Sequence, residues 1–408
     1  MKNDSDYVDR RRKTIEQSIH DRLAYVIKHN VLVQLLYRYT ISFAFQTIGL
    51  FVKTDENLIL LNSYGGEQYS DSTKVLYEAM LNDSRFCKYH FVWAFDNLSR
   101  FTKDTCSEVH NDRTKLVKID TFVYFLTALK AKVWISNVNI ERGLHIKKNN
   151  TIYLNTWHGT APKKGGNAYK GRKDYDFSYV DILCVDGEYE KNVMTQMYNG
   201  LEKNMLWCGR PREDELFTFN ESDSNRIRNK LNIPVGKKVL LYMPTWREGT
   251  NHELDWDMWE KRLKNQFVTL VRTHHFSKAN IFSEHENGFW IDVSTYSNVN
   301  ELYWIADILI SDYSSAIFDF GLLGKPVISF AKDHDEYMEE YGLFMDNWAT
   351  VFPNGVMQTD EQVIQYIETI DYEEQAAKCK KFIDSIVCHP GNATQVCLDR
   401  LCQLLGEK

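Results

Sequence analysis

Residues 305–330, IADILISDYSSAIFDFGLLGKPVISF, read as strand, turn, helix, turn, strand. Residues 308–310 form a short apolar run of the kind that a parallel sheet buries on both faces. Asp312, Ser314 and Ser315 follow at its carboxyl end. Residues 316–323 carry helix-compatible apolar side chains, Gly324 is a natural stop, and 327–330 is a second apolar run. Open α/β sheets bind ligands beyond the carboxyl ends of their strands. A hydroxyl-rich helix start at that edge has free backbone N–H groups and the positive end of a dipole, which suit a phosphate. Ser and Asp are also ordinary helix caps, so the stretch speaks more firmly for an α/β fold than for a site.

The same pattern repeats outward. Strands are expected at 57–62, 90–95, 115–119, 132–136, 151–155, 181–185 and 203–208, with helices at 71–81 and 121–130 among them. The polar stretch 220–236 carries Pro234 and suits a linker. A second series then begins, at 238–242, 267–272 and 290–293, and the tail at 361–405 reads as two helices. Alternating strands and helices argue for parallel sheets. The first strand runs into Tyr64, Gly65 and Gly66, the strand–glycine loop–helix opening of a Rossmann-like half. The glycines do not match G-x-G-x-x-G, so no dinucleotide site is expected.

A chain of 408 residues has room for about two to three domains. Its net charge of −7 argues against a nucleic-acid binder. The 8 cysteines show no C-x-x-C pair, which suits reduced thiols in a cytosolic protein. Residues 1–30 are polar, with a basic run at 10–13 and no signal-peptide pattern. Residues 31–52, VLVQLLYRYTISFAFQTIGLFV, are the most apolar stretch. Arg38 near the middle makes a membrane span costly. The aromatics after a basic segment favour a helix lying in the membrane interface, against the plainer reading of a helix packed on the protein's own core.

Two constellations could carry chemistry. The strand at 151–155 delivers Trp157, His158, Gly159 and Thr160, then Lys163 and Lys164. A His at a strand end faces a cleft, Gly159 permits close backbone approach, and the lysines supply charge for a phosphate. The bland alternative is a structural His in a basic surface loop. In the second half, the strand ends carry Thr245 and Arg247, then Arg272, His274 and His275, then the opening stretch. Three polar and basic loops on one sheet edge argue for a site.

The blocks NSYGGEQYSDSTKVLYE, NTWHGTAPKKGG, GRPREDELF, YMPTWRE, RTHH and NELYWIADILISDYSSAIFDFGLLGKPVISF, in this order, resemble the CDP-glycerol glycerophosphotransferase family. Its members build the poly(glycerol phosphate) or poly(ribitol phosphate) of wall teichoic acids and some capsules. The resemblance runs from about Asn57 to the C-terminal region and implies an α/β, GT-B-type fold: two Rossmann-like domains facing across a cleft, with N-terminal membrane-associating helices. The implied division is 1–55 for the helical region, 56–218 for the acceptor side and 219–408 for the donor side.

The implied donor is a CDP-polyol, CDP-glycerol foremost or CDP-ribitol, with CMP leaving. The implied acceptor is a lipid-linked intermediate at the cytoplasmic face of the cell membrane, where the protein is expected to be peripheral. Carried over by motif, His158 and His274 are the catalytic candidates, His158 as the base. Thr245, Arg247, Arg272, His275, Asp312, Ser314 and Ser315 are the donor-side candidates, with Asp312 positioning its loop rather than holding a metal. Gly159, Thr160, Lys163, Lys164, Tyr64 and Gly65 are the acceptor-side candidates. His275 stands where the family often has Pro or another residue, so either His274 or His275 faces the donor. These loops carry no D-x-D, so no obligatory metal is expected, and Mg²⁺ accompanying the pyrophosphate is compatible. So is a homo-oligomer. The competing readings are a GT-B glycosyltransferase or epimerase acting on a nucleotide sugar, and a non-catalytic membrane-docked module of an assembly complex.

Overall fold

The computed structural model describes residues 30–169, 176–245, 254–273, 288–388 and 391–407. The basic run at 10–13 lies outside the described residues, as does the rest of 1–29.

Continuous apolar runs become strands because a parallel sheet covered on both faces buries every side chain. The first sheet holds β1 Asp55–Asn62, β2 His90–Phe95, β3 Thr114–Lys118, β4 Ala131–Ser136, β5 Ile152–Asn155, β6 Ile182–Val185 and β7 Met205–Trp207. Its order is β3-β2-β1-β4-β5-β6-β7, all parallel. The second holds β8 Lys238–Met243, β9 Phe267–Val271, β10 Trp290–Asp292, β11 Ile308–Ser311, β12 Val327–Phe330 and β13 Val356–Met357. Its order is β10-β9-β8-β11-β12-β13, again all parallel. Each sheet reverses direction of winding beside its first strand, between β1 and β4 and between β8 and β11. That reversal opens a crevice at the strands' carboxyl ends. Alternation along β1 shows the double burial: Leu58 and Leu60 enter one core, Ile59 and Leu61 the other.

Three expectations change. The stretch at 220–236 contains the helix Glu221–Lys230, closed by a reciprocal cap between Asn220 and Asp223. Ile227 is its single apolar residue and is fully buried, so no amphipathic period was visible. The tail has three helices, Asp360–Thr369, Tyr372–Asp384 and Ala393–Leu405, because Asp371 starts a new one by accepting from the Glu374 N–H. The last helix covers the first sheet, not the second, so 219–408 is not one unit. Cys397, Leu398, Leu401 and Cys402 lie in the core beneath β5 and β6. Asp214 accepts from the Ala393 and Thr394 N–H groups, both at 2.8 Å.

The helix Val31–Phe51 packs one face on the first sheet's core. Phe45 meets Phe125 at 4.8 Å, and Ser42 accepts from the His145 N–H at 2.9 Å. Its other face exposes Leu36, Phe43, Leu50 and Phe51. Among the described residues no helix is long and apolar enough to cross a membrane.

Leu401→Ala removes a fully buried side chain from the joint between the last helix and the first sheet. It should cost about 2–5 kcal/mol of stability in denaturant unfolding; a loss below about 1 kcal/mol would mean that the helix contributes little to this core.

Candidate active site

The carboxyl edges of the two sheets face a shared cavity of about 680 Å³. The loop after β5 brings Trp157, His158, Gly159 and Lys163 to it. The loops after β8, β9 and β11 bring Thr245, Arg272, Ser314 and Ser315. Seven of the sequence-derived candidates, on loops up to 157 positions apart (His158 to Ser315), therefore line one space.

His158 is half-buried, and its Nδ1 lies 2.9 Å from the Asn137 carbonyl oxygen. A carbonyl only accepts, so Nδ1 carries the proton and Nε2 is the basic nitrogen of the neutral ring. Among the described residues Nε2 has no hydrogen-bond partner. Burial pushes the imidazole below its ordinary value, against the pull of the Asn137 carbonyl and of Asp71. A neutral His with its tautomer set by a backbone carbonyl is built to take a proton.

The backbone around it is strained. Tyr64 (φ 46°), Asp71 (φ 64°) and Trp157 (φ 51°) occupy the left-handed region that such residues avoid. The Trp157 N–H is held by the Asn155 carboxamide oxygen at 2.8 Å, and its ring sits 4.4 Å from Tyr198. Gly159 has φ 152°, and a Cβ there would stand 2.5 Å from Ser315 Oγ. Its glycine is thus required by the facing loop of the second sheet, in addition to any substrate.

On the opposite wall, Arg272 donates to the Val293 and Tyr296 carbonyls at 2.9 and 2.7 Å. Among the described residues no carboxylate pairs with it, and burial pushes it below the ordinary guanidinium value. A cation held by neutral dipoles is ready for an anion. Asp312 accepts from the Thr245 N–H and hydroxyl at 2.9 and 2.6 Å and from the Tyr313 N–H. It is buried behind the cavity and positions the Thr245 loop.

Four acceptor-side candidates do not reach the cavity. Thr160 is fully buried and donates to Asp186 in an ion cluster with Arg210. Lys164 pairs with Asp346 at 3.2 Å. Gly65 backs on to Arg142. Tyr64 lines an adjoining cavity of about 440 Å³ and donates to Asp71 at 2.8 Å. Arg247, His274 and His275 lie outside the described residues.

Sequence reasoning missed Arg212. Its guanidinium reaches Asp71 at 2.7 Å, the His158 carbonyl at 2.9 Å and Asp319 at 2.7 Å. The one available signal was a run of charges after a glycine and around a proline, Gly209 to Glu215, which names no partner.

Gly159→Ala should lower turnover by about 10²-fold, the scale expected when a reacting group is displaced by roughly 1 Å. Ser315→Gly in the same chain should restore part of it by removing the colliding hydroxyl. Steady-state rates of the single and double variants check this, and an undiminished single variant would show that the two loops separate freely.

The family model of CDP-Glycerol:Poly(glycerophosphate) glycerophosphotransferase matches residues 44–401. The chain is 32% identical over 342 residues to a teichoic acid poly(glycerol phosphate) polymerase of Staphylococcus epidermidis, covering 78% of this chain and 46% of that protein. It thus spans about half of that relative's length. It is 31% identical over 342 residues to a teichoic acid glycerol-phosphate transferase of Staphylococcus aureus, covering 78% of this chain and 85% of that one. Its fold matches the wall teichoic acid polymerase TagF with a TM-score of 0.76 at 28% identity, over 98% of both chains. With two parallel sheets in a GT-B-like arrangement, the chain belongs to the CDP-glycerol:poly(glycerophosphate) glycerophosphotransferase family, transferases of polyol phosphate in teichoic acid synthesis.

Proposed function

We propose that the protein transfers glycerol phosphate from CDP-glycerol to a hydroxyl of a lipid-linked acceptor and releases CMP. Family membership supports the donor, as does the existence of a TagF variant structure soaked with CDPG. The observation that carries the reading is the pairing, across one cavity, of a neutral His158 with a wall of hydroxyls and an Arg272 held by backbone carbonyls.

In this reaction the acceptor hydroxyl gives its proton to His158 Nε2. Its oxygen forms a bond to the β-phosphorus, the bond from that phosphorus to the bridging oxygen breaks, and CMP leaves with the electron pair. Arg272, Ser314, Ser315 and Thr245 receive the phosphates, and Lys163 lies on the acceptor side. Arg247 and His274 or His275, which lie outside the described residues, remain donor-side candidates from the motif blocks alone. Mg²⁺ accompanying the donor pyrophosphate is compatible with this wall.

The apolar outer face of Val31–Phe51, continued by exposed Phe122 and Val123, seats the protein on the cytoplasmic membrane surface, where a lipid-linked acceptor is found. The acceptor side is the first sheet with this helix and the returning Ala393–Leu405 helix; the donor side is the second sheet.

Acceptor-dependent CMP release, measured separately with CDP-glycerol and CDP-ribitol, tests the reaction; no CMP from either would sink it. His158→Ala should lose about 10²–10⁴ in rate with its unfolding curve unchanged. Because the base works neutral and burial lowers its pKa, kcat/KM should rise with pH through an apparent pKa below about 6.5 and stay level above it. Inflection well above that value would point to another base. Leu36→Glu with Phe43→Glu and Leu50→Glu, all exposed, should move the protein from the vesicle pellet to the supernatant without unfolding it. Undiminished co-sedimentation would count against this face as the membrane contact.

A further inference from the structure

We infer that Cys184, Cys208 and Cys397 form a site for one soft, thiophilic d¹⁰ cation, of the Zn²⁺ or Cu(I) class, that fastens the C-terminal helix to the first sheet. Cys184 lies in β6, Cys208 directly follows β7, and Cys397 lies on the Ala393–Leu405 helix. All three are fully buried. Cys397 Sγ stands 3.4 Å from Cys184 Sγ and 3.8 Å from Cys208 Sγ, and all three sulfurs lie within 4.8 Å of one another. Thiolates bound tetrahedrally at a Zn–S length of about 2.3 Å are separated by about 3.8 Å. The two edges that meet at Cys397 thus lie within about 0.4 Å of the separation in a ligand set. Among the described residues this is the single group of three His, Cys, Asp or Glu side chains that could hold a metal ion.

The composition of the set selects the ion. Three sulfurs with no carboxylate or imidazole favour a soft cation over Mg²⁺ or Ca²⁺. Three neutral thiols suit an apolar core, whereas three thiolates suit it only with a cation among them. Binding therefore exchanges the thiol protons for the ion, and affinity should fall as pH falls. Cys397 belongs to the last helix of the chain, so local opening of that helix gives an entry path.

The position also matters. Asp186 lies two residues beyond Cys184, and Arg210 two residues beyond Cys208. These two form the buried ion pair immediately behind Arg212. A cation at the three sulfurs would brace both strands that carry this pair, together with the helix that closes over them.

The test uses the full-length chain, reduced and stripped with a chelator, then titrated with Cd²⁺ as an optical probe and with Zn²⁺. The expected result is a thiolate-to-metal charge-transfer band saturating near one ion per chain, with release of up to about three protons per ion. X-ray absorption at the zinc edge should show about three sulfur neighbours near 2.3 Å, a measurement on the unaltered protein that does not depend on a variant folding. Cys184→Ala and Cys397→Ala should each abolish the band, while Cys379→Ala, at a buried cysteine of the second sheet's core, should keep it. The proposal is overturned by the absence of stoichiometric binding when all thiols are titratable after denaturation. Oxygen or nitrogen neighbours in place of sulfur, a native disulfide among the three, or a band surviving both alanine variants would overturn it equally.

Discussion

The guanidinium of Arg212 is the contact on which the site depends. It bridges Asp71 on a helix of the first sheet, the carbonyl of His158 in the site loop, and Asp319 on the helix after β11 of the second sheet. The three charged side chains are largely buried, and where burial is complete a charge left without its partner costs about 3–5 kcal/mol. Behind it, Arg210 is enclosed by Asp186 and Glu190. Burial pushes the Glu190 and Glu213 carboxyls up, against the pull of Arg210. The two sheets are thus joined at their edges by charge that has nowhere else to go.

A second contact works with it. The loop after β5 leans so closely on the start of the helix after β11 that only glycine fits at 159. Further along, the Phe344 N–H donates to the Pro162 carbonyl at 2.9 Å and the Lys164 N–H to the Gly342 carbonyl at 3.1 Å. The WHGT segment is therefore suspended between both sheets. This explains why Lys164 and Thr160, adjacent to cavity residues in sequence, face away from the cavity: one belongs to the strap and the other to the ion cluster.

Legibility followed the physics of each element. Strands such as β1 and β6 could be read because a doubly covered parallel strand is a continuous apolar run. Cavity residues such as His158, Arg272 and Ser315 could be read because strand-end loops of such sheets meet ligands. The helix Glu221–Lys230 could not, since Ile227 alone carries its buried face. Nor could the partner of the last helix, because apolar spacing at Cys397, Leu398 and Leu401 says that a face is buried but not against which sheet.

The sequence by itself determined the α/β class, the two strand series and the order of the motif blocks, because these are written in local periodicity and local spacing. Tertiary structure alone decided which nitrogen of His158 is basic, that Thr245 is the partner Asp312 holds, that the last helix returns to the first sheet, and that Arg212 joins the halves. Each depends on groups brought together from distant parts of the chain, as 137 with 158, 245 with 312, 214 with 393, and 71 with 212 and 319. No local pattern encodes such pairings; they exist only once the two sheets have buried their faces and left these polar groups to satisfy one another.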